Sequence, residues 1–343
     1  MNGVLIIDKP AGLTSHDVVA RARRILKERS IGHLGTLDPM ATGVLPLVIG
    51  SYTRLAQFYT GAEKVYEGAI RFGFSTDTYD AEGQPTSPQQ EVILRSEEVE
   101  ALAGKFRGVI QQVPPPFSAK KIKGVPAYKL ARKHKEVVLE PVQVEIKEFE
   151  ILSVDQSLVR FRAHVASGTY LRSVAHDMGQ ALGCGAHLEC LRRTAVAEFT
   201  LEDAHTLQEI SEEIGKSVHS TASFEGKTDT LRVPAKDLTT EDAEAHRGKQ
   251  GTRVAGILAE LGPASALLET LKASFIHPRR LLPQMPSVTA DELTTARIRA
   301  GRSVNLPELS RARQVKVFAG QRDLIAIATR IAGTLFHPGI VFA

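Results

Sequence analysis

The sequence predicts an α+β fold, a mostly antiparallel mixed sheet flanked by helices, with a small β-rich module at its C-terminal end. Three observations predict it. Strand-like and helix-like patterns follow one another in mixed order, without the regular βαβ alternation of a parallel sheet. Hydrophobic residues make up 43% and charged residues 24% of 343 positions, enough for a sizeable core without disulfides or metals. Past about Val288, short apolar runs are punctuated by glycine turns.

The elements follow in order. Val4–Ile7 reads as a short buried strand, broken by Pro10-Ala11-Gly12. Thr14-Ser15-His16-Asp17 fits a capping box, and the helix behind it lines up Val18, Val19, Ala22, Ile25 and Leu26 on one face. Gly32 to Gly50 is Gly- and Pro-punctuated, apolar and nearly uncharged, with Asp38 its only formal charge. Thr53–Tyr59 reads as a short helix, and Tyr66–Phe72 as a strand with Tyr66, Ile70 and Phe72 on one face. Val144–Val154 and Leu158–Ala166 form a strand pair, Tyr170–Leu182 a helix stopped by Gly183, and Thr194–Phe199 a further strand. Residues 204–270 are polar, with helical patterns at Ala255–Leu261 and Ala264–Leu271 and no evident chemistry. Val315–Phe318, Leu324–Ile331 and Thr334–Phe336 are short strands with turns at Gly320 and Gly333. Three segments are expected: 1–203, a polar region and linker over 204–287, and a terminal module over 288–343.

Composition narrows the class. No run of about 18 apolar residues exists to cross a membrane, and Asp8 arrives too early for a signal-peptide core, so a cytoplasmic location is expected. The formal net charge is only +4, but it is unevenly placed. Between Lys105 and Lys135 stand nine Lys or Arg and no Asp or Glu, interleaved with Phe106, Phe117 and Tyr128. Such a stretch can neutralise phosphates and offer stacking faces; read alone, it is equally a solvated basic loop. Cys184 and Cys190 with His187 lack finger spacing and a fourth ligand; buried thiols and a structural histidine are expected, and no metal. No Walker loop, dinucleotide fingerprint or nucleophile elbow is present.

The chemistry concentrates in Gly32-His33-Leu34-Gly35-Thr36-Leu37-Asp38-Pro39-Met40-Ala41-Thr42-Gly43-Val44-Leu45-Pro46. Glycines allow a ligand close to the backbone, and Pro39 holds Asp38 extended. An isolated Asp-Pro is most often a turn initiator. The whole run, however, resembles the signature of the TruB family, the bacterial tRNA pseudouridine-55 synthases. Lys9-Pro10-Ala11-Gly12-Leu13-Thr14-Ser15, Lys64-Val65-Tyr66, the Pro114–Gly124 block with Tyr128 and Arg132, Ser167-Gly168-Thr169-Tyr170-Leu171-Arg172, and Gly185-Ala186-His187-Leu188 with Leu191-Arg192-Arg193-Thr194 resemble further family blocks in the family's order. One departure stands at Arg132-Lys133-His134, where the family usually continues A-R-x-G.

The resemblance implies the pseudouridine synthase fold, a C-terminal PUA-like β-barrel, and isomerisation of uridine 55 in the tRNA T-loop. Asp38 falls on the aspartate nucleophile, Tyr66 on the tyrosine that stacks on the target uracil, and Arg172 on the arginine paired with the aspartate. Tyr170 and Leu191 fall on residues lining the base pocket. His33 falls on the histidine that fills the space left by the flipped nucleotide, and Lys64 on a basic position beside the pocket. Residues 112–135 take the place of a loop that grips the T-arm, through Lys120, Lys121, Lys123, Tyr128 and Arg132. The implied reaction moves C1′ from N1 to C5 of uracil with no redox change or group donor, so no cofactor is expected. A carboxylate can split it into easier steps by adding at C6 of the base or at C1′ of the ribose. The base must first leave its stack and be clamped. The expected partner is tRNA, with no membrane and no obligate protein partner, and the expected state is a monomer. Two other classes fit the same residues, a non-catalytic RNA-binding protein and a guide-RNA-dependent synthase subunit.

Overall fold

A computed structural model describes residues 1–118, 120–122, 125–126, 139–215, 273–308 and 310–342. The N-terminal part opens with β1 (Gly3–Lys9), α1 (Ser15–Leu26), β2 (Ile31–His33) and β3 (Thr42–Ile49). A 3₁₀ turn over Gly50–Leu55 runs into α2 (Ala56–Tyr59) and β4 (Lys64–Phe72). Then come α3 (Ser96–Gly104), β5 (Gly108–Gln112), β6 (Lys121–Ile122), β7 (Val125–Pro126), β8 (Val142–Asp155) and β9 (Leu158–Val165). α4 (Leu171–Ala181), β10 (Ala186–Val196), β11 (Phe199–Thr200) and β12 (Ala204–His205) close this part. The C-terminal part holds β13 (Ser287–Ala290), α5 (Glu292–Arg299), β14 (Val304–Asn305), β15 (Gln314–Ala319), β16 (Asp323–Ala332) and β17 (Leu335–Val341).

Ten strands form one sheet in the order β12-β1-β3-β10-β4-β9-β8-β5, with β2 on β3 and β11 on β10. Only β1–β12 and β3–β10 run parallel. The mixed, mostly antiparallel sheet expected from the element order is what forms. A second sheet of five strands, β13-β15-β16-β17-β14, makes the small C-terminal β module. The Thr14–Asp17 capping box starts α1 as read from the sequence: the Thr14 hydroxyl accepts from the Asp17 amide at 3.0 Å, and the Asp17 carboxylate accepts from the Thr14 amide at 2.9 Å.

β1 and β3 are apolar on both faces because both faces are covered. Leu5, Ile7, Leu45, Leu47 and Ile49 pack toward α1, α3 and α4. Val4, Ile6, Val44 and Val48 pack on the opposite side against Tyr52, Tyr59, Phe199, Phe318, Leu324, Ile327 and Phe342. The C-terminal module is thus seated on the back of the large sheet and fills a second core of its own with Val288, Ile298, Val315, Val317 and Phe336.

Two readings need correction. The strand expected at Thr194–Phe199 begins at Ala186, and a turn at Ala197 (φ 48°) separates it from β11. Bulges after Leu188 and after Arg193 break the two-residue alternation that would have marked it. Cys190, beside the first bulge, is exposed, so only Cys184 is the buried thiol expected; both are free. The patterns at Ala255–Leu261 and Ala264–Leu271 lie outside the described residues.

Candidate active site

Asp38 stands in the loop between β2 and β3, beside the first turn of α4. Arg172, in that turn, is buried and reaches it from 134 positions away: Nη2 donates to Asp38 Oδ1 at 3.1 Å, and Nε lies 2.9 Å from Oδ2. One hydrogen bond, from Nη2, ties the guanidinium to Asp38, and the Nε contact is an ion pair without hydrogen-bond alignment. The same guanidinium donates to the Thr78 carbonyl at 3.0 Å and the Phe117 carbonyl at 3.1 Å, and its Nη1 lies 3.5 Å from Asp80 Oδ2. Asp38 keeps 36% of its side-chain surface exposed, against 6% for Asp80. One carboxylate of the pair faces outward, and the other is part of the scaffold. Asp80 is itself held by the Thr78 hydroxyl at 2.6 Å and the Glu82 amide at 3.1 Å.

Two buried cations shape the Asp38 loop by capturing its carbonyls. Lys9, at the end of β1, donates to the carbonyls of Leu13 (2.6 Å), Pro10 (2.9 Å) and Pro39 (3.1 Å). Burial pulls its ammonium down to about 8, opposed by the carboxylates of Asp38 and Glu82. Arg193, fully buried on β10, donates to the carbonyls of Val44 (2.8 Å), Gly35 (3.0 Å) and Thr36 (3.2 Å). Burial lowers its basicity as well, and Tyr66 and Asp38 counter that. β10 comes so close to β3 that a Cβ on Gly43 (φ 101°) would lie 2.2 Å from the Arg193 carbonyl oxygen. Ser15 Oγ adds a link, accepting from the Leu37 amide at 2.9 Å and donating to its carbonyl at 3.2 Å. These side chains were not singled out from the sequence, although Lys9, Ser15 and Arg193 stand in the quoted blocks.

The other expected residues gather around this loop. β4 and β10 pair so that Tyr66 stands opposite Arg193 and Gly68 opposite Leu191, which is buried in the main core. Tyr170 immediately precedes α4, and its backbone is clamped by buried Gln112: its amide donates to Oε1 at 2.8 Å, and Nε2 donates to its carbonyl at 3.1 Å. Burial raises the Tyr170 phenol, while Ser118 and Arg172 pull it back. His33 meets His16 edge-on at 5.8 Å, and burial, then His16 and Arg193, favour its neutral form. Lys64 donates to the Ala62 carbonyl and to Ser167 Oγ at 3.4 Å; burial, then Arg193, lowers its basicity. Of the expected RNA-gripping side chains, Lys120 is exposed and Lys121 contributes its backbone to the β6–β7 hairpin. Lys123, Tyr128 and Arg132 lie outside the described residues.

The arrangement is a half-exposed carboxylate on a rigid, buried support, suited to nucleophilic attack on a ligand entering from solvent. Among the described residues no group of three His, Cys, Asp or Glu side chains is placed to hold a metal, and no helix is long and apolar enough to cross a membrane.

The chain is also similar to known proteins. Residues 23–171 match the TruB family pseudouridylate synthase N-terminal domain, and residues 172–224 the tRNA pseudouridylate synthase B C-terminal domain. The chain is 44% identical to a tRNA pseudouridine synthase B of Solibacter usitatus over 99% of its own length and 100% of the relative's. It is 39% identical to a tRNA pseudouridine synthase B of Aquifex aeolicus over 82% of its length and 100% of the relative's. In fold it is similar to a chain of a Cbf5-Nop10-Gar1 complex, with TM-score 0.62 and 22% identity, covering 99% of this chain and 85% of that one. With the fold and the signature loop in place, the chain belongs to the TruB family of pseudouridine synthases.

Proposed function

We propose that this enzyme isomerises uridine 55 in the T-loop of tRNA, with Asp38 as nucleophile and without a cofactor. The observation that carries the reading is the outward-facing Asp38 carboxylate gripped by buried Arg172. Asp38 adds to C6 of the base or C1′ of the ribose, the N1–C1′ bond breaks, the uracil turns, and C5 bonds to C1′. C5 loses its proton, N1 gains one, and Asp38 is released, so the reaction balances without a donor. Tyr66 stacks on the uracil and handles the C5 proton. Tyr170 and Leu191 clamp the flipped base, His33 fills the gap it leaves, and Lys64 lies beside the pocket. Residues 112–135 grip the T-arm through Lys120, Lys121, Lys123, Tyr128 and Arg132, and the PUA-like module makes auxiliary RNA contacts. The protein acts as a monomer without guide RNA or obligate protein partner.

The test is mass-spectrometric mapping of pseudouridine in unmodified tRNA incubated with the purified chain alone. Repeated turnover at position 55 is expected. Modification elsewhere would overturn the site preference, and absence of turnover would favour a binding protein or a guide-dependent subunit. Asp38→Asn is expected to retain tRNA binding and to lose at least about 10⁴-fold in rate, as single nucleophile deletions do. Wild-type turnover by this variant would sink the mechanism.

A further inference from the structure

The loop between β4 and α3 carries a feature that the reaction chemistry does not use. Tyr79 has left-handed backbone geometry, φ 64°. A bulky residue stays there only when its surroundings hold it. Its ring lies flat on His176, with centroids 3.8 Å apart and planes 11° apart. The carbonyl of Tyr79 accepts from the Leu188 amide at 3.0 Å, and the Leu188 carbonyl accepts from the Ala81 amide at 3.0 Å, so the backbone here is tied to β10.

Both neighbours of Tyr79 serve Arg172. The Thr78 carbonyl accepts from Nη1, and the Asp80 carboxylate lies 3.5 Å from the same nitrogen. His176 follows Arg172 by one helical turn, so the same stripe of α4 meets this loop twice. His176 Nδ1 is buried with no hydrogen-bond partner among the described residues, so the imidazole offers the loop its face. Burial favours the neutral imidazole and, with Asp177, the neutral phenol, which suits ring stacking.

We propose that Tyr79, locked by its stack on His176, is a positioning residue that holds Thr78 and Asp80 around Arg172 and so aims this guanidinium at Asp38. The inference rests on the reading of Asp38 as nucleophile. Two effects of the side chain can be separated. Glycine at 79 tolerates the left-handed backbone but removes the clamp. Alanine removes the clamp and keeps the strain. Phenylalanine keeps the ring and drops only the hydroxyl.

The experiment is steady-state and single-turnover kinetics of the full chain on unmodified tRNA, with thermal melts establishing that each variant is folded. Tyr79→Gly is expected to lower kcat about tenfold or more with KM little changed, because small misplacements of reacting groups cost that much. Tyr79→Ala is expected to fall further, His176→Ala to resemble Tyr79→Gly, and Tyr79→Phe to restore the wild-type rate. A full-rate Tyr79→Gly or His176→Ala, or a loss confined to KM, would overturn the proposal. Asp38→Asn in parallel keeps the two readings apart. If it turns over, the nucleophile assignment fails. If it is dead while Tyr79→Gly runs at full rate, only the positioning role fails.

Discussion

Lys9, Arg172 and Arg193 are buried cations, and none is present for its charge alone. Each spends its N–H groups on backbone carbonyls, and Arg172 alone adds carboxylates. Asp177, on the same helix as Arg172, shows what an unsupported charge costs. Burial pushes its carboxyl from 3.8 up to about 6. Between those values the folded chain holds a proton that the unfolded chain has released, so stability falls as pH rises through that window, and the full penalty is present above it. Asp177→Asn is therefore expected to gain on the wild type as pH rises from about 4 to about 7 and to keep a constant lead beyond. Urea midpoints across pH check this; a pH-independent gap would contradict it. At this scale the sequence was partly legible. Asp38 stands out as the one formal charge in an otherwise uncharged run. Its partner Arg172 came from the family blocks, since no spacing rule links residues 134 apart. Lys9, Arg193 and Gln112 were passed over because each lies outside the strands read from the sequence, and carbonyl partners leave no trace in sequence.

At the scale of elements, β10 joins the site together. It pairs with β3 at Thr42 and Gly43 and with β4 from Lys64 to Phe72, bringing Arg193 to the signature loop and Leu191 opposite Gly68 in the main core. Its bulges supply the fit and also hid most of the strand from periodicity. The α1 start was legible because a capping box is a local signal, and the β8–β9 pair was legible although two bulges break its register. A second joint links β5 to α4 through Gln112 and the Tyr170 backbone. Gln112→Leu leaves a backbone N–H and C=O without these partners, and a loss of about 2–4 kcal/mol in stability is expected. Turnover should fall with it, since Arg172 lies in the turn that Gln112 holds. Urea unfolding and kinetics on the same preparation check both; unchanged stability would show that the clamp is dispensable.

At the scale of the whole molecule, the C-terminal module is part of the core rather than a tethered appendage. Phe318, Leu324, Ile327 and Phe342 share one buried cluster with Val4, Ile6, Val44 and Val48. Buried Lys316 donates to the carbonyls of Leu281 at 2.6 Å and Arg279 at 3.1 Å, and Glu198 accepts from the Leu282 amide at 2.8 Å and from the Tyr59 hydroxyl. One cooperative thermal transition is expected for the two sheets together. Separate transitions, seen by probes placed in each sheet, would contradict it. The parallel pairing of β3 with β10 sets an order of events during synthesis. The signature loop leaves the ribosome early, but Arg193, which grips its carbonyls, follows about 150 residues later. At roughly 5–20 residues per second, the nascent chain carries an unfinished signature loop and two bare apolar strands for some seconds. The Asp38 loop therefore acquires its buried support only when the second half of the sheet arrives.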